Sequence, residues 1–183
     1  NDPREICADL RSLGKFNMER GYREKASENF QRSYEISSKL NDKKEFAEDH
    51  RNLGNLAFSN GKRKEAEELY LKALKLTQEV NDPKGAGQDL TYLGNLKFKD
   101  TKYDEAEKYF SQAAVCFKET NSWSSLIQFN MTVARMQILV GRFDEFDKYL
   151  KDAREIARDL GDPKPIMEAI RAMEKLKDEI DKK

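Results

Sequence analysis

The sequence predicts an all-α fold, a solenoid of four helix–turn–helix repeats followed by a capping helix. Three observations lead to this prediction: a period of forty residues, helix start and stop signals at fixed places in every period, and an unusual composition. Charged residues make up 37% of the chain and hydrophobic residues only 38%, which is typical of thin helical arrays rather than of one thick core. No segment shows the strict period-two alternation of a half-buried strand. We predict one domain over residues 1–183.

A short polar mark, often followed by proline, recurs every forty residues. The marks are Asn1-Asp2-Pro3, Asn41-Asp42-Lys43, Asn81-Asp82-Pro83, Asn121-Ser122-Trp123 and Gly161-Asp162-Pro163. An Asn, Asp or Ser side chain can cap the next helix, and proline suits the first helical turn. Each mark therefore predicts a helix start, and the repeats are predicted over about 1–40, 41–80, 81–120 and 121–160.

A second break divides every period, because glycine in the left-handed conformation ends a helix. The breaks fall near Gly21, Asn60-Gly61, Asp100-Thr101 and Gly141. The predicted helices are 4–20, 24–40, 43–59, 63–80, 83–99, 103–120, 123–140 and 143–160. A ninth, capping helix over about 163–181 carries an apolar stripe on one side and charges elsewhere; the stripe is Ile166, Ile170, Met173 and Leu176.

Small and large apolar residues also recur in register, which favours close packing of the two helices in each pair. The small residues are Gly14, Gly54 and Gly94 on the first helices and Ala26, Ala66 and Ala106 on the second; the large ones are Phe30, Tyr70 and Phe110. This spacing resembles the tetratricopeptide repeat. The forty-residue period resembles the longer variety found in Pins-type adaptors, kinesin light chains and Rap-type regulators.

The resemblance implies a right-handed superhelix whose first helices line a concave groove, and a protein that binds other proteins without catalysis. The fourth period departs from the pattern, because Ala134, Phe146 and Leu150 stand where the others have Gly, Ala and an aromatic residue. We expect this repeat to survive with altered packing.

The resemblance also implies which side chains face a ligand, namely first-helix residues three before, one after and four after the recurring Gly, or Ala134 in the fourth repeat. This stripe reads Arg11, Lys15, Met18; Arg51, Asn55, Phe58; Thr91, Asn95, Phe98; and Met131, Arg135, Ile138. An Asn amide can pair with an extended peptide backbone, and Arg or Lys with carboxylates. We therefore expect an acidic-leaning peptide partner, bound by Arg11, Lys15, Arg51, Asn55, Phe58, Tyr92, Asn95, Phe98, Lys99 and Arg135.

Other interpretations of these residues remain open. Phe58 and Phe98 could pack against the neighbouring first helices, the two asparagines could form structural hydrogen bonds, and each Arg or Lys could simply be solvated. The chain could also be a sensor or regulatory module of a larger protein, or it could self-associate through the apolar first helix of the fourth repeat.

The composition argues against several other classes of function. Lys plus Arg and Asp plus Glu both number 34, so attraction to nucleic acid or a membrane is not expected. His50 is the only histidine, without carboxylates one helical turn away, and is interpreted as a packed residue rather than a catalytic base or metal ligand. No enzyme, cofactor or metal site is predicted. Cys7 and Cys116 are interpreted as two buried thiols of a cytoplasmic protein that is monomeric or weakly self-associating.

Overall fold

A computed structural model describes residues 2–161 and 163–181, and these residues form nine α-helices and no strand. The helices are α1 (Pro3–Glu19), α2 (Arg23–Leu40), α3 (Lys43–Ser59), α4 (Arg63–Glu79), α5 (Pro83–Lys99), α6 (Tyr103–Glu119), α7 (Trp123–Leu139), α8 (Phe143–Asp159) and α9 (Lys164–Asp181). Every predicted helix is present, with bounds that differ by about one residue. The helix-start assignments at Asn1 and Asp162 lie outside the described residues.

In the turns between repeats, one residue ends the preceding helix and the next residue caps the following helix. The Asp42 carboxylate accepts a hydrogen bond from the Lys44 backbone N–H at 3.1 Å and so caps α3. The Asn41 before it has a φ of 52°, a left-handed conformation that Asn tolerates and that ends a helix. Asn81 and Asn121 have the same conformation. The asparagines therefore end the preceding helix and do not cap the next one, contrary to the expectation for them.

The fold divides into two compact units, one ending at Cys116 and the other beginning at Phe117. In the first unit each helix pair closes through a glycine. A Cβ built on Gly54 would lie 2.6 Å from Tyr70 Cε1, and one on Gly14 would lie 2.4 Å from Phe30 Cε1. Such distances leave no room for a side chain, so the predicted small-against-large packing is confirmed.

The pairs of the first unit stack in the order of the sequence. α1 contacts α3 and α3 contacts α5, so these first helices form one layer. α2 packs on α3 and α4 packs on α5, so each second helix also covers the first helix of the next repeat. Leu56 of α3, for example, is buried against Ala26 and Phe30 of α2.

The second unit contains α7, α8 and α9 around one core. Phe146 and Leu150 of α8 are buried beside Ala134 of α7 and Ile170 of α9. The fourth repeat thus keeps its helix pair with small and large residues redistributed, as expected. α9 is tied to α8 by the ion pairs Arg154–Glu174 and Lys177–Asp147. Together these features confirm the all-α, solenoid-type repeat fold with a final helix against the last repeat; one domain over 1–183 stays a prediction.

Candidate functional site

The site predicted in the first unit is a strip of side chains on α1, α3 and α5, which we call the first-helix stripe. It contains Arg11, Lys15, Met18, Arg51, Asn55, Phe58, Thr91, Asn95 and Phe98. Residues at i, i+4 and i+7 share one side of a helix, and the three helices lie in a row. Most of these side chains are half-buried, while Lys15 is exposed and Arg11 is buried. The stripe is therefore one surface with a largely polar centre.

Arg11 is held inside the protein and is not free to meet a ligand. Its Nη2 donates to Glu45 Oε2 at 2.7 Å, and Glu48 and Asp49 carboxylate oxygens lie 3.5 and 3.6 Å from the guanidinium. Arg11 is only 4% exposed. Its role in the structure is to join α1 to α3.

Arg51 repeats this arrangement one period later. Its Nε donates to Asp89 Oδ1 at 2.6 Å and its Nη2 to Asp89 Oδ2 at 3.3 Å, so Arg51 binds this carboxylate of α5 through two nitrogens. The Thr77 hydroxyl donates to the same carboxylate at 3.1 Å. Burial raises the pKa of Asp89, and the Arg51 guanidinium and the Thr77 hydroxyl oppose that rise. The charge of Arg51 is therefore balanced by Asp89.

The acidic partners of these arginines were missed in the sequence analysis. Each arginine meets an aspartate 38 residues further along the chain, Asp49 for Arg11 and Asp89 for Arg51. A signal was present, because both the arginine and the aspartate recur with the forty-residue period. The first-helix stripe therefore carries less net positive charge than its arginines alone suggested.

The Asn55 side chain uses its amide oxygen, but not its amide nitrogen, in a hydrogen bond within the protein. The Tyr70 hydroxyl donates to Asn55 Oδ1 at 2.8 Å, and burial raises the pKa of Tyr70, so the hydroxyl stays protonated as a donor. The Tyr70 ring stacks on Tyr92, with centroids 5.3 Å apart and planes inclined by 11°. Within the described residues Asn55 Nδ2 has no hydrogen-bond partner.

Asn95 occupies the equivalent place on α5, but its surroundings differ. Phe110 stands where the second repeat has Tyr70, so no hydroxyl is available at this point. Asn95 Oδ1 is buried and has no hydrogen-bond partner among the described residues. The two asparagines therefore share a position but not a hydrogen-bonding state.

The remaining predicted residues flank these amides. Phe58 and Tyr92 are half-buried against the cluster around Tyr70 and Leu93, and Phe98 lies 5.3 Å from the Tyr103 ring. Lys15 Nζ is 3.6 Å from a Glu48 oxygen. Lys99 is exposed. The described residues thus offer an amide centre with apolar side chains and lysines beside it.

Arg135 lies on α7 in the second unit and is exposed. The same helix is mostly buried against α8 and α9, although Leu139 remains 65% exposed.

His50 and the cysteines lie apart from the first-helix stripe. His50 is 5% exposed, and its Nδ1 lies 2.8 Å from the Phe46 carbonyl oxygen, as expected of a packed residue. Cys7 is buried, whereas Cys116 is half-buried, so the expectation of two buried thiols was wrong for Cys116. Over residues 2–161 and 163–181 no three His, Cys, Asp or Glu side chains are grouped to hold a metal ion. None of the helices in this part of the chain has the length and apolar character needed to span a membrane.

Comparison with known proteins agrees with this architecture. Residues 45–119 match the family model described as tetratricopeptide repeat. No curated protein matches the chain. Aspartyl phosphate phosphatase F from Bacillus subtilis is similar in structure, with a TM-score of 0.77, 18% identity, and coverage of 94% of this chain and 49% of that one.

Two further solved structures are similar. The apo form of RapI gives a TM-score of 0.75 at 16% identity, covering 96% of this chain and 49% of its own. A putative kinesin light chain from Podosopora anserina with nearly identical TPR-like repeats gives 0.66 at 14% identity, covering 95% and 97%. The present chain thus spans about half the length of the first and second of these three proteins.

Stacked helix pairs of equal length define a helical-repeat protein. The model match over residues 45–119 and the similar solved structures agree with a tetratricopeptide-like helical-repeat fold for this chain.

Proposed function

We propose that the chain is a non-catalytic scaffold whose first-helix stripe binds a short, extended peptide segment of a partner protein. The observation that carries this proposal is the state of Asn55. The Tyr70 hydroxyl donates to its Oδ1, so the amide is held in one orientation, and its Nδ2 donates to no other residue that the structure describes. An amide donor fixed in this way suits a backbone carbonyl of an extended peptide, whatever the ligand side chains are.

In this proposal, lysines give the protein its preference for acidic ligands. Arg11 and Arg51 are balanced by the buried carboxylates of Asp49 and Asp89. Lys15 on α1 and Lys99 on α5 are exposed, and Lys15 lies 3.6 Å from the partly exposed Glu48. Exposed cations attract Asp or Glu side chains weakly and are screened by salt. We therefore expect binding that tolerates many sequences, favours acidic ones and weakens moderately as salt is added.

A peptide array tests the proposal. The purified chain is applied to peptides with free and with blocked C-termini, at low and at moderate salt, beside the Asn55→Ala/Asn95→Ala variant. A matched control is Gln112→Ala, which removes an exposed amide on α6, away from the first-helix stripe. We expect acidic-leaning peptides to bind the parent chain and the control and to be lost with the double variant.

The outcomes are distinct. An array without binders, or binders that recognise the double variant as well as the parent chain, would contradict the proposal. Circular dichroism of each variant verifies that its helices are intact, so loss of binding is not confused with unfolding. Binding only to peptides with a free C-terminus would further assign a terminal carboxylate to one of the two lysines.

A regulatory module of a larger protein is the second candidate function. It is supported by the similarity to aspartyl phosphate phosphatase F and RapI, of which this chain covers about half. Cys7 and Cys116 are not joined in a disulfide, which suits a reducing compartment such as the cytoplasm. A parent protein in which an effector domain changes activity when the peptide binds would favour this candidate.

A further inference from the structure

On its outer side α1 has two exposed apolar residues whose counterparts in the later repeats of the first unit are more deeply buried. Leu13 and Phe16 are each 49% exposed. Forty residues on, Leu53 is half-buried and Leu56 is 6% exposed. In the third repeat Leu93 and Leu96 are 0% and 1% exposed. The difference arises because α2 covers α3 and α4 covers α5. Within the described residues no helix covers α1 in this way.

The same side of α1 carries an aspartate that lacks the arginine its counterparts have. Asp9 is exposed and makes no hydrogen bond or ion pair with the described residues. Its counterparts Asp49 and Asp89 are 0% exposed, and each faces an arginine of the preceding first helix.

A second acidic position follows the same rule. Asp42 pairs with Arg4 at 2.8 Å and Asp82 lies 3.8 Å from Lys44, so in the second and third repeats the aspartate of the mark lies beside a cation of the preceding first helix. Asp2 is the counterpart in the first repeat. Its Oδ1 caps α1 through the Arg4 backbone N–H, as Asp42 caps α3, and it is exposed.

We infer that Asp2, Asp9, Leu13 and Phe16, the outer face of α1, form a docking surface for a further helix pair of the same forty-residue kind. The first helix of this partner carries two cations seven residues apart, one for Asp2 and one for Asp9. Its second helix covers Leu13 and Phe16 with an apolar side, as α2 covers α3.

Charge complementarity defines the partner, because the surface holds two carboxylates seven residues apart beside an exposed apolar pair. Matching pairs of cations exist in this chain, Arg4 with Arg11 and Lys44 with Arg51, but all four already face internal carboxylates. A second copy of the chain would have to break those contacts. The occupant is therefore a helix pair whose cations are free.

The test joins a copy of residues 1–40 directly in front of residue 1 of the full chain. The junction then reads Leu-Asn-Asp, as it does at Leu40-Asn41-Asp42, and the copy presents the equivalents of Arg4 and Arg11 at high effective concentration. We expect the midpoint of urea unfolding, followed by circular dichroism, to rise by about 1 M. Asp9→Asn should lower the midpoint of the extended chain and leave that of the parent chain unchanged.

Glu68→Gln, an exposed change on α4, is the matched control and should act equally in both chains. Replacing the copied counterpart of Arg11 by Gln should remove the effect of Asp9→Asn, since the pair is then already broken. Equal midpoints for the extended and the parent chain, or an equal effect of Asp9→Asn in both, would overturn the proposal. A dimer of the parent chain that Asp9→Asn dissociates, measured by sedimentation, would also overturn it in favour of a second copy.

Discussion

At the scale of single residues, the environment of a side chain decides its role more than its type does. Asn55 and Asn95 occupy equivalent positions on α3 and α5, yet only Asn55 has its carbonyl oxygen satisfied. The difference comes from one hydroxyl group, present in Tyr70 and absent in Phe110. The sequence predicted both asparagines as ligand-binding residues, but it could not rank them, because the hydroxyl belongs to a different helix.

Exchanging these two aromatic residues tests the contrast. Tyr70→Phe leaves Asn55 Oδ1 without its donor and should lower the free energy of unfolding by about 1 kcal/mol. Phe110→Tyr brings a hydroxyl to the equivalent place beside Asn95 and should raise the free energy of unfolding. Urea titration of both variants measures the two changes. A loss of stability in Phe110→Tyr would show that Asn95 Oδ1 has no need of a donor.

His50 gives a prediction for the dependence of stability on pH. Burial lowers the pKa of His50 below its ordinary value of 6.5. Well above pH 6.5 the ring is neutral in both the folded and the unfolded chain. Below it the unfolded chain binds the proton first, so the free energy of unfolding should fall as the pH is lowered from 7 to 5.

The matched variant for this prediction is His50→Leu, since Leu10 and Leu90 occupy the same position in the first and third repeats. Urea unfolding of both chains at pH 7, 6 and 5 isolates the histidine, because the carboxylates titrate in both. The variant should lose less stability than the parent chain over this range. Parallel curves for the two chains would refute the assigned pKa direction.

At the scale of elements, the helix bounds could be predicted because their causes are local. Caps and left-handed turns act within a few residues, and the marks that encode them recur with the period. One turn breaks the rule. Gly21, Gly61 and Gly141 end the first helices of repeats one, two and four with φ between 75° and 79°, whereas the third repeat places Thr101 at φ 60°.

Thr101→Gly should therefore stabilise the protein by roughly 1 kcal/mol, because a branched residue is strained in the left-handed region where glycine is not. Thermal unfolding followed by circular dichroism measures the gain. Thr101→Ala is the control, since it shortens the side chain but keeps a Cβ, and it should recover only part of the effect. A destabilised glycine variant would mean that the Thr101 side chain contributes more than its backbone costs.

At the scale of the whole molecule, the stacking of repeats could be predicted but the contacts that join them could not. The pairing of Arg11 with Asp49 and of Arg51 with Asp89 depends on which faces of successive repeats meet, and that information is not local. Thr91 and Met131 stand at the arginine position in the third and fourth repeats. The arginines of this stripe therefore join only α1 to α3 and α3 to α5. The fold was accordingly predicted more fully than the charge of the first-helix stripe.

The central claim is that an oriented amide on α3 binds the backbone of a peptide. The most direct measurement is the dissociation constant of the tightest array peptide, by fluorescence anisotropy, for the parent chain, Asn55→Ala and Gln112→Ala. We predict that Asn55→Ala weakens binding by about tenfold or more, as expected for the loss of one well-oriented hydrogen bond, and that Gln112→Ala leaves it unchanged. Equal affinity of all three proteins would contradict the account.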